Sequence, residues 1–395
     1  MIKNIIQFIF LSLIFFTFLC CNQQEEANDN LNLTLAWEKD IRAFNPVVDY
    51  ENKILFFENL GKGDELERIE ALNLDTGEIL WTTEETGYNS AQPVFDNSNV
   101  YTMNTKNRNK AITVIDKKTG KIKSQTEISA PSTRFGVWTL YNGILYWGGR
   151  DSHFVYAYST SDEKDAYPIW GSEDVTSDIM GDIVPYNGRL YFVSSVYPYE
   201  DEPQPSRLVS MNPDGSDVKE LEISADIVSI EINCTQFYKG KLYLNGKYFI
   251  CVNPETMEIE WELKGKDDKE FFNSSMRGFV INDGYIYSRT EREHGNDDFI
   301  CINTKNGKIV WHDKLDTSFY GSIFYSPQVY KGYIYQPMQG CVMVLNAKNG
   351  KYVGRDEKIR TGALAVDITA HYNDLMIFSG NHGKLYAVKM DMHTR

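Results

Sequence analysis

Apolar and polar residues alternate along this chain in short runs, and turn residues cut the runs at a nearly constant interval. The most regular run is a tyrosine-flanked turn leading into an aromatic strand. It reads Tyr141-Asn142-Gly143-Ile144-Leu145-Tyr146, Tyr186-Asn187-Gly188-Arg189-Leu190-Tyr191, Tyr238-Lys239-Gly240-Lys241-Leu242-Tyr243 and Tyr330-Lys331-Gly332-Tyr333-Ile334-Tyr335. Looser copies end at Leu55, Tyr101, Tyr287 and Ile377. Leu55 to Ile377 is 322 residues over seven intervals, or 46 per repeat. Period-two alternation with Gly at the turn predicts antiparallel hairpins. A repeat of this length and patterning is a propeller blade rather than a helical solenoid unit. No sustained helical period of apolar residues competes with that reading.

A second motif follows each aromatic strand: Ala71-Leu72-Asn73-Leu74-Asp75-Thr76-Gly77-Glu78-Ile79-Leu80-Trp81 in the first repeat, and Cys301-Ile302-Asn303-Thr304-Lys305-Asn306-Gly307-Lys308-Ile309-Val310-Trp311 in the sixth. The fifth gives Cys251-Val252-Asn253-Pro254-Glu255-Thr256-Met257-Glu258-Ile259-Glu260-Trp261, and shorter forms place Gly120 and Gly350 at the same turn. Asn or Asp opens such a turn by bonding its own backbone, and Gly takes the positive-φ position. The tryptophans at the strand ends, Trp37, Trp81, Trp170, Trp261 and Trp311, are placed to cover the seam between neighbouring blades. Gly77, Gly120, Gly307 and Gly350 are the matching turn glycines.

This turn resembles the tryptophan-docking repeat of quinoprotein-type (PQQ-like) propellers, and the resemblance implies an all-β, eight-bladed β-propeller of four-stranded antiparallel blades. The last repeat stops at Lys384-Leu385-Tyr386-Ala387-Val388-Lys389-Met390, a third strand with no turn and Trp after it. Leu33-Thr34-Leu35-Ala36-Trp37 reads as the missing fourth strand, so the N-terminal strand is expected to close the last blade and remove an open sheet edge. Expected blade spans are 43–85, 86–130, 131–174, 175–225, 226–267, 268–316, 317–359, and 360–395 with 33–41.

The N-terminus reads as an address. Lys3 precedes an apolar stretch, Ile5 to Leu19, that breaks into Cys20-Cys21-Asn22-Gln23-Gln24-Glu25-Glu26. The stretch is too short to cross a bilayer comfortably but fits a secretory h-region. A cysteine at its end resembles the bacterial lipobox, which implies lipid attachment at Cys21, with Cys20 as the alternative. The chain is thus expected to divide into a signal peptide (1–20), a flexible polar tether (21–32) and one propeller (33–395). The acidic Gln-Gln-Glu-Glu run resembles the export tag of surface lipoproteins, which leaves both the periplasm and the cell surface open.

Net charge is −15, and near −16 once residues 1–20, with their single Lys3, are removed. No Lys/Arg stripe in the sequence offsets that acidity, which argues against nucleic acid as a partner. Of the four cysteines beyond the leader, Cys251 and Cys301 occupy one slot in successive repeats, where equivalent strands diverge; all four read as buried small apolar residues. Trp138 and Trp147 lie outside the docking motif and read as core.

In a meander blade the two short turns share one face, and the second-to-third strand connections lie on the other. There the chain is long and charged: Asn104 to Lys110, Val196 to Arg207 and Thr290 to Asp298. These loops are the expected binding face, with Arg108, Tyr197, Tyr199, Glu200, Arg289 and Arg292 as candidate contacts. Acidic pairs such as Asp297-Asp298 read as solvated loop residues rather than Ca²⁺ ligands.

Catalytic signatures are missing: there is no His-Glu-x-x-His, no Cys-x-x-Cys-His, no Gly-x-Ser-x-Gly, and no metal site is expected. Quinone-dependent dehydrogenases of the resembled class hold their cofactor over a vicinal disulfide, whereas the one vicinal pair here, Cys20-Cys21, sits in the leader. No cofactor is therefore expected. A lipid-anchored propeller without catalytic residues looks like the BamB family of outer-membrane assembly lipoproteins. That resemblance implies a monomeric, non-catalytic protein-interaction scaffold at the outer membrane, with the barrel-assembly machine among its partners. A surface or periplasmic propeller binding glycan, peptide or another protein is the alternative, and a quinone-dependent dehydrogenase the remote one.

Overall fold

The computed structural model describes residues 31–392 apart from 61–66, 90–91, 107–108, 130–133, 151–152, 163–164, 172–177, 196–205, 224–234, 246–247, 265–277, 292–296, 314–325, 339, 360–369 and 381–382. The alternating runs form strands because their aromatic and β-branched residues pack on both faces of a pleated sheet. Their hairpins close through backbone with positive φ, as at Asn142 (51°) and Gly143 (76°), the pair of values that a twist-matched two-residue turn requires.

Eight sheets result, each an antiparallel meander. Blade 1 is Ala43–Asp49, Ile54–Asn59, Arg68–Asn73 and Ile79–Thr82. Blades 3 to 7 follow in the same order, beginning at Arg134, Asp178, Thr235, Val280 and Gln328. In blade 2 the inner strand is split into Tyr88–Asn89 and Val94–Phe95, both paired with Asn99–Lys106. Blade 8 takes three strands from the C-terminus and its outer strand, Leu35–Lys39, from the N-terminus. That strand pairs Leu35 with Val388, Trp37 with Ala387 and Lys39 with Leu385, so the ring closes as the sequence predicts.

The apolar core lies mainly in the seams between blades. Phe56, Ile69 and Ala71 of blade 1 pack with Val100 and Ile115 of blade 2, and Tyr243 and Phe249 of blade 5 pack with Ile286 and Ile300 of blade 6. Trp138 and Trp147 are core residues of the seam between blades 2 and 3. Side chains also bond neighbouring inner strands: Gln92 Nε2 donates to Pro46 O at 2.7 Å, Trp138 Nε1 to Gln92 O, and Gln236 Nε2 to Phe279 O at 2.6 Å.

One buried ion pair spans blades 1 and 2. Lys117 Nζ lies 2.7 Å from Asp49 Oδ2, donates to Asp96 O at 2.9 Å and stands over the Phe95 ring. Burial acts to raise the Asp49 carboxyl, but hydrogen bonds from Lys117 and Asn52 outweigh it and hold the group below its ordinary value. A depressed carboxylate stabilises the fold above its unfolded pKa of roughly 3.9, and that contribution fades as pH falls through the lower folded value. Asp49→Ala is expected to cost about 3 kcal/mol at neutral pH, because it strands Lys117 in the seam. It should also flatten the acid limb below roughly pH 4. Urea midpoints at neutral and acid pH test this; a variant that matches the wild type at neutral pH would remove the pair from the list of stabilising contacts.

Candidate functional site

Four tryptophans repeat one contact. Nε1 of Trp37 donates to Leu74 O at 2.9 Å, Trp81 to Lys117 O at 3.0 Å, Trp261 to Thr304 O at 2.9 Å and Trp311 to Ala347 O at 3.0 Å. Each ring lies on the turn glycine of the next blade. A Cβ added at Gly77, Gly120, Gly307 or Gly350 would stand 2.8, 2.7, 2.6 or 2.5 Å from the indole. These indoles therefore tie blade 8 to 1, 1 to 2, 5 to 6 and 6 to 7, and their N–H groups are engaged there.

The remaining seams are built differently. Trp170 is half-buried, edge-on to Phe192 of blade 4 with centroids 5.1 Å apart. The outer strand of blade 4, Lys219–Ile223, carries no Trp, and the turn it meets has Met257 in place of glycine. Met257 holds a φ of 55° and buries its side chain in a cluster that includes Ile223, with Leu221 packed against it. A thioether on the turn thus fills the space that an indole fills elsewhere.

At the other end of the seams, the second and third strands turn polar while staying buried. Asn104 Nδ2 donates to Thr86 O and to Thr113 Oγ1 at 2.8 Å, and Gln125 Nε2 donates to the same hydroxyl at 3.0 Å. Asp298, 1% exposed, lies 2.8 Å from Nε2 of half-buried His312. Arg289, also 1% exposed, faces Phe299 across the strand pair with its guanidinium 5.8 Å from the ring centroid.

Three expectations are corrected here. Arg289 is not on an exposed binding face: it lies two residues beyond Tyr287, on the strand face that packs toward blade 7. Asn104 to Lys110 is not a long loop, since strands run to Lys106 and resume at Asn109. Asp298 is not solvated but buried against His312. Arg108, Tyr197, Tyr199, Glu200 and Arg292 lie outside the described residues, as do Cys20, Cys21 and Cys234.

The N-terminal segment also differs from a free tether at its end. Leu31 N donates to Arg355 O at 2.9 Å, Leu33 N to buried Asp356 Oδ2 at 2.7 Å, and Lys358 Nζ to Asn32 Oδ1 at 2.9 Å. Residues 31–33 are therefore fixed to the outer strand of blade 7 before the chain crosses to blade 8.

The described thiols offer little nucleophilicity. Cys251, Cys301 and Cys341 are buried, and burial pushes Cys251 up to about 11 and Cys301 up to about 12. Among the described residues, no three His, Cys, Asp or Glu side chains gather as a metal group.

The family model described as outer membrane protein assembly factor BamB matches residues 33–195 and 249–391. The chain belongs to the BamB family. The unmatched stretch includes the outer strand of blade 4 that lacks a Trp. Among solved structures, BamB from Moraxella catarrhalis aligns with a TM-score of 0.59 at 12% identity, over 92% of this chain and all (100%) of that one. Quinohemoprotein alcohol dehydrogenase from Comamonas testosteroni aligns at 0.59 and 12% identity, over 95% of this chain and 78% of that one. Saccharomyces cerevisiae Sqt1 aligns at 0.61 and 12% identity, over 92% and 99%. At such identities these likenesses establish the propeller fold alone. No curated protein matches the sequence.

Proposed function

We propose that this BamB-family propeller is a non-catalytic interaction scaffold, held at the outer membrane by a lipid on Cys21 (or Cys20), that serves outer-membrane protein assembly. The observation that carries the reading is the BamB family match on both sides of the ring, residues 33–195 and 249–391. The docking indoles are consistent with it, since they are engaged in holding blades together rather than facing a ligand. So is the leader, whose Cys20-Cys21 pair follows an apolar stretch. Under this reading the propeller works as a monomer, needs no cofactor, and engages the barrel-assembly machine through its second-to-third strand connections.

Crosslinked affinity purification of the tagged protein from its native outer membrane, read by mass spectrometry, tests this. Recovery of the barrel-assembly channel with its accessory lipoproteins is the expected result. Recovery of sugar-uptake or unrelated surface proteins in their place would overturn it in favour of a glycan- or peptide-binding propeller.

A further inference from the structure

The charge on this chain is unevenly spread. Residues 301–395 hold twelve Lys or Arg against seven Asp or Glu, in a protein with 40 basic and 55 acidic residues overall. The excess has a location. Within blades 6 and 7 the four short turns are 282–285, 303–308, 330–333 and 346–351, and they share one face, since Thr304 N bonds Gly284 O and Ala347 N bonds Gly332 O. They carry Lys305, Lys308, Lys331, Lys348 and Lys351, all exposed, and a single acid, Asp283. Trp311 of blade 6, seated on the turn of blade 7, joins the two halves of this patch.

Among the described residues none of these five ammonium groups is in an ion pair. On other blades turn or strand lysines are paired, as in Lys53–Asp75, Lys241–Glu260 and Lys384–Glu38. Lys331 Nζ stands 5.0 Å from the Tyr330 ring centroid, and none of the five has a carboxylate partner among the described residues, so on an acidic protein (net −15) they form a local cationic surface that attracts an anionic one.

The same blade receives the N-terminal segment. Leu31 is bonded to Arg355, four residues along the strand from Lys351, which is about 13 Å. Leu31 is ten residue steps from Cys21, so an anchor at Cys21 holds this edge of the ring within about 35 Å of the bilayer. We propose that the lysine patch on the turn face of blades 6 and 7 docks on anionic phospholipid headgroups. The ring then meets the membrane along that sector and turns its acidic sectors away. The placement by the anchor rests on the lipoprotein reading above; the patch itself does not.

Lysine acylation of the full, processed protein on vesicles tests the proposal. Phosphatidylcholine vesicles are compared with vesicles of phosphatidylcholine and phosphatidylglycerol, and modification is mapped by mass spectrometry. The expected result is that Lys305, Lys308, Lys331, Lys348 and Lys351 react about threefold or more slowly on the anionic vesicles, and that high salt abolishes the difference. Lys118 and Lys121, exposed on blade 2 across the ring, should react equally on both. Replacing the five lysines with Gln should leave the melting temperature unchanged and remove any salt-sensitive gain in binding to the anionic vesicles. Equal protection of all lysines, or of none, would overturn the proposal. Flotation with neutral vesicles reads the anchor separately. Flotation without patch protection sinks the patch alone, and binding to anionic vesicles only, with the patch protected, supports the patch and sinks the anchor.

Discussion

Deleting residues 33–41 is expected to lower stability by at least about 5 kcal/mol, much of what a domain of ordinary stability possesses. The segment supplies the whole outer strand of blade 8, so its loss leaves Lys384–Lys389 as an unpaired edge. It also removes Trp37, 8% exposed, whose indole covers Gly77 and bonds Leu74 O on blade 1. Truncating a buried Trp alone costs about 3–5 kcal/mol. Leu33 goes too, buried in the cluster that joins blades 7 and 8 and bonded to Asp356. One short segment thus secures three blades. Thermal melts of the deletion and of Trp37→Ala decide the matter: the deletion should fall well below the point variant. A deletion with an unchanged melting temperature would mean that closure contributes nothing and that the open ring is equally stable.

The fold was legible because its signals are local. Alternation, the Tyr-x-Gly turn and the Asn-to-Gly turn each act within a few residues, and repetition at 46 residues ties them to one architecture. Even the closure was legible, from a C-terminal blade lacking its last strand and a Trp-bearing strand at the other end. Arg289 shows where reasoning by residue type misleads. By residue type a charged side chain near a loop reads as exposed, yet Tyr285, Tyr287 and Arg289 share one face of their strand, and the face is a seam. Period two held the answer, and charge obscured it. Asn104 follows the same rule, in line with Val100 and Thr102 on the face that packs against blade 1. The lysine patch was invisible for a different reason. Its members come from three turns spread over two repeats, so no contiguous basic stripe exists to be read. The bond between Leu33 and Asp356 spans 323 residues, and no local pattern announces it.

Gly120→Ala and Gly332→Ala should separate two effects that glycine combines. Both positions hold positive φ, 72° and 82°. A methyl at Gly332 meets nothing within 4 Å, so that variant should show only the backbone penalty, about 1–2 kcal/mol. At Gly120 the methyl would stand 2.7 Å from Trp81 Cε3, and the indole cannot yield without leaving its bond to Lys117 O. The neighbouring Phe56 ring, 5.7 Å away between centroids, and the rest of the seam limit where it can go. Gly120→Ala should therefore cost about 4 kcal/mol or more, nearer the loss of the Trp itself than a change of one methyl. Contacting residues do not act independently, so a double-mutant cycle is the sharper test. In a Trp81→Ala background the clash has no partner, and the added cost of Gly120→Ala should fall to that of Gly332→Ala. Urea denaturation of the four proteins gives the coupling directly. If Gly120→Ala costs the same with and without Trp81, backbone strain alone explains the glycine, and the indole is covering the seam without depending on the turn beneath it.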